Sequence, residues 1–293
     1  MSDSALDPSD LSINAPKLCD VSFGLDLNWM ELYLDDSGSR LPDQEPAQGH
    51  AGLMDCFALG GILFEARKIK PILKAYTTLC RKWHIDYPLV SNKIRMYTGR
   101  FAWVGKLSDS KRDEFFRDIA CMIEEQPFFA IACVVHRPGY NARYHPLYGE
   151  KRWSLCKTTF TIVVERAVKL ASRRGLFLRV HFERTGPRED KALIIYQREL
   201  KKIGMPFEPE TSSIYRPLEA GTFRKTLIGD PLQHTKTSRL SQLADLVLYP
   251  MVKGKYDPDY RPYRHLRDTN KLIDRCLRPE DVNELGIKYS CFD

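Results

Sequence analysis

The sequence predicts an α/β chain built on a mixed sheet flanked by helices, with insertions. Three observations carry this. Strand-like runs alternate with helical periodicity over most of the 293 residues. The first two strand-like runs are joined by a polar connection and read as an antiparallel pair. Residues 128–135 form a nearly unbroken apolar run, the pattern of a strand covered on both faces.

Taken in order, residues 1–27 are polar, acidic and broken by prolines. They read as a flexible acidic lead, without the basic start and apolar core of a signal peptide. Residues 30–38, MELYLDDSG, are a strand. Alternation sends Glu31, Tyr33 and Asp35 one way and Leu32, Leu34 and Asp36 the other, and Ser37 and Gly38 end it. Residues 53–65 are a second strand, in which Gly60 and Gly61 permit a bulge or a close backbone approach. Ile69, Ile72, Leu73, Tyr76 and Leu79 recur at helical spacing over 66–83, with Pro71 tolerated near the first turn. Residues 84–110 read as an irregular insertion. Asp109 or Ser110 can cap a helix over 111–125 with Phe115, Phe116, Ile119, Met122 and Ile123 inward.

After the central strand at 128–135, residues 139–150 read as an aromatic loop. Residues 151–174 read as a long helix stopped by Gly175, and residues 176–182 as a strand ending at Glu183. A helix over 189–203 stops at Gly204, a loop covers 205–221, and 222–228, TFRKTLI, reads as one more short strand. Thr237 or Ser238 caps a helix whose stripe is Leu240, Leu243, Ala244, Val247 and Leu248, and Pro250 bends or ends it. The boundaries that follow are a lead at 1–27, a domain at 28–254, and a Tyr/Arg-rich extension at 255–293 packed on that domain, with a short helix at 266–277.

No window holds the eighteen apolar residues a membrane span needs, which excludes a helical membrane protein. The eight cysteines include no CxxC pair, which argues against a structural zinc site and for free thiols in the cytoplasm. The net charge of +7 is unevenly spread: residues 1–50 hold ten Asp/Glu against two Lys/Arg, and 151–202 hold fourteen Lys/Arg against five Asp/Glu. A basic body with carboxylates near one strand suits a polyanion such as nucleic acid. Solvated helix faces would produce the same count of charges.

Three carboxylates stand at comparable places: Asp35 at the end of the first strand, Glu183 at the end of a middle strand, and Asp245 among Leu243, Ala244, Leu246 and Val247 of the late helix. A charge in that apolar company is costly unless it is paired or metal-bound, or unless the helix turns it to solvent. Ser241, Gln242 and Asp245 share a helix face. Arg184, Arg188 and Lys191 follow Glu183 and are placed to hold a phosphate backbone, or to make an ordinary solvated turn. His145 and His265 sit among Tyr and Arg and are secondary candidates for proton transfer.

YLDDSG at 33–38 resembles the opening YxDExG-type motif of the family catalogued as domain of unknown function 3800. SRLSQLADLV at 238–247 resembles its closing motif, and HFER at 181–184 stands where that family has an acid after a middle strand. The family in turn resembles the RNase H-like superfamily, which implies a five-stranded mixed sheet with antiparallel first strands. It also implies a carboxylate cluster binding Mg²⁺ or Mn²⁺. Two positions depart from the pattern: Asp36 replaces the usual Glu, and Glu183 the usual Asp. The resemblance implies Asp35, Glu183 and Asp245 as catalytic residues, and these with Asp36 as metal ligands. Of the adjacent acids, Asp35 matches the first acid of the motif. Ser241 and Gln242, with Arg184, Arg188 and Lys191, are the expected substrate contacts. The activity implied is a metal-dependent nuclease or related phosphodiester-processing enzyme, in which two cations ~3.5–4 Å apart serve attacking and leaving oxygens. The alternatives are a non-catalytic nucleic-acid or protein-binding module that keeps the fold, and a hydrolase of small phosphate esters.

Overall fold

The computed structural model describes residues 28–43, 54–206 and 216–292. The acidic lead at 1–27 and much of the polar connection after the first strand lie outside these residues. At the centre of the sheet is β1 (Trp29–Gly38), antiparallel to β2 (Cys56–Glu65), which is itself antiparallel to β3 (Phe129–His136). On its other side β1 runs parallel to β4 (Phe177–Glu183), and β4 parallel to β5 (Leu232–His234). A short β6 (Lys288–Ser290) joins β3 in parallel, giving the order β5-β4-β1-β2-β3-β6. The chain is therefore α/β with a six-stranded mixed sheet, not the five strands expected. The additional strand comes from the 255–293 stretch, which completes the edge of the sheet.

Two helices build the core around the central strands. α5 (Leu155–Arg173) starts where the Ser154 hydroxyl accepts from Lys157 N–H at 3.1 Å. It ends near Gly175, whose φ of +66° is the left-handed conformation that suits glycine. Its Phe160, Val163, Val164, Ala167 and Val168 are fully buried over β2, β3 and β4. Each of the larger side chains contributes ~1.5–3 kcal/mol by leaving water. α8 (Arg239–Tyr256), capped by Ser238 as expected, packs Leu243, Ala244, Val247 and Met251 over β1 and β2. Ala130 to Val135 of β3 are buried without remainder, as the unbroken apolar run predicted.

Several local expectations give way. Residues 222–228 are not a strand: α7 (Ala220–Thr226) is a helix with Phe223 buried, and Leu227, one turn on, makes only a bridge to Leu178. The residues 139–150 expected as loop are mostly α4 (Arg137–Tyr148). Here Pro138 sits in the first turn, the His136 side chain accepts from Gly139 N–H at 3.2 Å, and Tyr140 and Tyr144 pack at i, i+4. The insertion at 84–110 contains α2 (Ser91–Arg95) between turns. Pro250 does not end α8, which continues for six residues beyond it to Tyr256. The remaining helices are α1 (Ile69–Lys82), α3 (Asp109–Glu124), α6 (Pro187–Ile203), α9 (Arg261–Asp268) and α10 (Pro279–Leu285). Among the described residues no helix is long and apolar enough to cross a membrane.

Candidate carboxylate site at the strand ends

The parallel register of β1 and β4 sets Leu34 opposite Phe182, so Asp35 and Glu183 leave the sheet at the same edge. Asp245 reaches that edge from α8, and glycine makes the reach possible. A Cβ on Gly61 would lie 2.6 Å from the Ala244 Cβ and would meet the Tyr33 carbonyl oxygen. Bare backbone at Gly61 therefore lets α8 settle against the sheet, with Asp245 one residue further on. This is the close approach that the Gly60–Gly61 pair predicted.

The charges of the three acids act on one another. Burial raises the Asp35 carboxyl well above the usual carboxylate range. The negative charges of Asp245, Glu183 and Asp36 push it further, and only the Asp36 backbone N–H opposes them. Burial likewise lifts Asp245, to about 6; Ser91 N–H donates to its Oδ2 at 2.7 Å and opposes the rise, Glu183 adds to it, and Arg95 and Lys236 pull it back. Lys236 Nζ stands 3.4 Å from Glu183 Oε1. Such a cluster favours whatever neutralises it, a proton or a cation. Among the described residues no group of three or more His, Cys, Asp or Glu side chains is spaced to hold a metal ion.

The chain is 34% identical over 266 residues to "Uncharacterized protein y4pM" of Sinorhizobium fredii, covering 89% of this chain and 94% of that protein. The chain belongs to the same family as y4pM. No family model matches it, and no solved structure does.

The other expected residues divide. Asp36 points away from Asp35, as alternation requires. Its Oδ2 accepts from Arg40 Nε at 2.9 Å, and Arg40 Nη2 donates to Thr185 Oγ1 at 3.1 Å, which ties the turn after β1 to the turn after β4. Arg184, Arg188 and Lys191 are exposed, Arg184 directly after Glu183 and 3.6 Å from buried Asp190, Arg188 and Lys191 in α6. Gln242 and Ser241, expected at the substrate, are buried instead, at 4% and 1% exposure. Gln242 Oε1 accepts from Leu89 N–H at 2.8 Å and from the Tyr76 hydroxyl, while its Nε2 donates to Lys236 O at 2.7 Å. The polar face meets the Leu89 and Ser91 N–H groups, the Lys236 carbonyl and the Tyr76 hydroxyl, while the buried Ser241 hydroxyl has no hydrogen-bond partner among the described residues. Gln242 and Asp245 together grip residues 89–91. His265 is held by Ala120 O at 3.1 Å, and His145 lies 3.7 Å from Glu150 on the surface.

Other residues emerge only in three dimensions. Ser91 and Arg95 come from the irregular insertion, and Lys236 from the loop before α8. A polar line also crosses the sheet below Asp35. Trp29 Nε1 donates to Glu31 Oε1 at 2.7 Å, His181 Nε2 donates to Glu31 Oε2 at 2.6 Å, and His181 Nδ1 lies 2.7 Å from His234 Nε2. Tyr33 stacks flat on His181 with ring centroids 4.1 Å apart. The alternation of Glu31, Tyr33 and Asp35 hinted at a polar face. Trp29 lies on β1 itself, two residues before Glu31, whereas His181 and His234 come from β4 and β5, and the spacing along β1 carried no sign of them.

Proposed function

We propose that this chain is a metal-dependent nuclease, or a related phosphodiester-processing enzyme, of RNase H-like fold and similar to the family catalogued as domain of unknown function 3800. One observation carries the reading: the register that sets Leu34 opposite Phe182 brings Asp35 and Glu183 to the same ends of neighbouring strands, where the charges of Glu183 and Asp245 both act on Asp35. The sheet supports it too, since β1, β2 and β3 are antiparallel neighbours and β4 and β5 run parallel to β1, with β6 an addition at the edge.

The donor set suits a hard cation. Three carboxylates offer oxygen ligands only, the preference of Mg²⁺ and Mn²⁺, and their mutual repulsion is relieved by positive charge. Asp35, Glu183 and Asp245 would hold the ion. When bound, it would polarise a phosphoryl oxygen and lower the pKa of the attacking water. Ser91 N–H fixes the orientation of the Asp245 carboxylate. Lys236, Arg184, Arg188 and Lys191 bring positive charge to a polyanionic substrate, nucleic acid. Free thiols at every described cysteine agree with a cytoplasmic setting.

The test is cleavage of labelled RNA, DNA and hybrid with Mg²⁺ or Mn²⁺. Cleavage is expected, and Asp35→Asn or Asp245→Asn should abolish it while circular dichroism stays unchanged. Nucleic-acid binding without cleavage under any metal would instead support the non-catalytic module. Turnover of small esters alone would support a small-phosphoester hydrolase.

A further inference from the structure

Beside the carboxylates, α2 and α8 make a shelf of a different character. Tyr249 lies four residues after Asp245 on α8 and so shares its face. The Arg95 guanidinium lies 3.3 Å over the Tyr249 ring, and Tyr260 meets Tyr249 edge-on at 6.1 Å. An arginine whose role was to neutralise Asp245 would pair with it. Here Asp245 Oδ2 takes the Ser91 N–H, and Arg95 donates only through Nε, to Ser91 Oγ at 3.4 Å. Among the described residues no carboxylate lies within ion-pair reach of Arg95, and its Nη groups have no protein acceptor. The flat stack thus holds a planar, always-charged fork with its donor edge free, close enough to the acids for Asp245 to feel its charge.

The next two residues are as unusual. Met96 is 62% exposed and Tyr97 38% exposed. Tyr97 has a φ of +52°, a left-handed conformation disfavoured for a bulky residue. Its inner side rests against Gly105 and Phe116 and the Arg112 guanidinium lies 6.0 Å from its ring, so an aromatic and thioether surface with a second cation beside it stays in water next along the chain from Arg95. A paired base has both faces covered by its neighbours in the stack, whereas an unpaired base offers a free π-face.

We propose that Arg95, braced by Tyr249, and the Met96–Tyr97 surface form the strand-holding subsite of this site, and that its ligand is a single-stranded polynucleotide. A phosphate near the scissile one sits on the Arg95 donor edge, and an unpaired base stacks on Tyr97. This rests on the nucleic-acid reading above and deepens it.

The test is equilibrium binding by the full chain in EDTA, read by fluorescence anisotropy with labelled single strands and a duplex of matched length. The single strand is expected to bind more tightly than the duplex. Arg95→Ala should weaken single-strand binding about tenfold and reduce the log–log salt slope by about 0.7, the value of one single-strand phosphate contact. Tyr97→Ala should weaken single-strand binding about tenfold and leave the duplex unchanged. Arg95→Lys keeps the charge but not the planar stack, so the salt slope should recover while affinity stays below wild type. Equal binding of single strand and duplex, no binding of either, or wild-type affinity in both alanine variants would overturn the subsite. The two readings fail separately. Cleavage that Asp245→Asn abolishes, with unaltered binding by the Arg95 and Tyr97 variants, removes the subsite alone. Binding lost in those variants, with no cleavage under any metal, removes the nuclease alone.

Discussion

Asp245→Asn takes one negative charge out of the carboxylate cluster and leaves its shape intact, so it should stabilise the metal-free protein at neutral pH while ending its activity. The folded Asp245 carboxyl is raised from 3.8 to about 6. Between those values the unfolded chain has released the proton and the folded chain still holds it. Stability therefore falls as pH rises through that window and stays low above it. A rise of that size corresponds to ~3 kcal/mol, an upper figure for the gain on replacing the ionised group with a neutral amide. The Asn carbonyl oxygen can still accept from Ser91 N–H, so no buried donor is orphaned. Urea unfolding in EDTA from pH 3.5 to 8 measures the effect. The variant should match wild type at the acid end and exceed it by ~1–3 kcal/mol at pH 7, or ~2–4 °C in Tm per kcal/mol. Saturating Mg²⁺ or Mn²⁺ should stabilise wild type, by ~2.7 kcal/mol at a hundred times Kd, and narrow the gap. A variant that is less stable at pH 7, or a difference that does not change with pH, would refute the view that burial, with Glu183 adding to it, holds this acid against ionisation.

Two further substitutions test how the site is held. Gly61→Ala places a methyl 2.6 Å from the Ala244 Cβ, so α8 must shift. We expect a loss of ~1–3 kcal/mol in chemical denaturation together with a larger loss of any metal-dependent activity, because Asp245 moves with the helix; wild-type stability would show that the contact is not tight. Gln242→Leu leaves the Leu89 N–H and Lys236 carbonyl without their side-chain partner, at ~1–3 kcal/mol for each group that water cannot reach. Amide exchange at Leu89 should accelerate, and unchanged exchange there would show that Gln242 does not secure the 89–91 stretch.

What could be read along the chain was whatever its local pattern enforces. Alternation in β1 separated Asp35 from Asp36, and the structure gives them different surroundings, one facing the acids and the other Arg40. Paired glycines announced a close approach, and Ala244 makes it. Asp245 stood out because a lone acid in an apolar helix needs a reason to be there. The polar face of α8 was visible too, but it did not say whether solvent, substrate or backbone lay opposite. For Gln242 the answer is the Leu89 N–H and the Tyr76 hydroxyl, both far away in sequence, and the carbonyl of nearby Lys236.

Short elements were hidden for a related reason. TFRKTLI has strand-like composition, yet the burial of Phe223 and Leu227 one turn apart makes most of it a helix. β5 and β6 are three residues each, too short to show a period, and they exist because β4 and β3 offer open edges. The α/β class, the main helices and the acids that are costly to bury were thus legible along the chain. Folding in three dimensions brings Asp35 and Glu183 to the same strand ends, sets Ser91, Arg95 and Lys236 near Asp245 and Glu183, and adds a sixth strand on the far side of the sheet. Hydrophobic periodicity is a property of neighbours along the chain. The meeting of charges is a property of neighbours in space, and it depends on strand register and helix docking that no local pattern encodes.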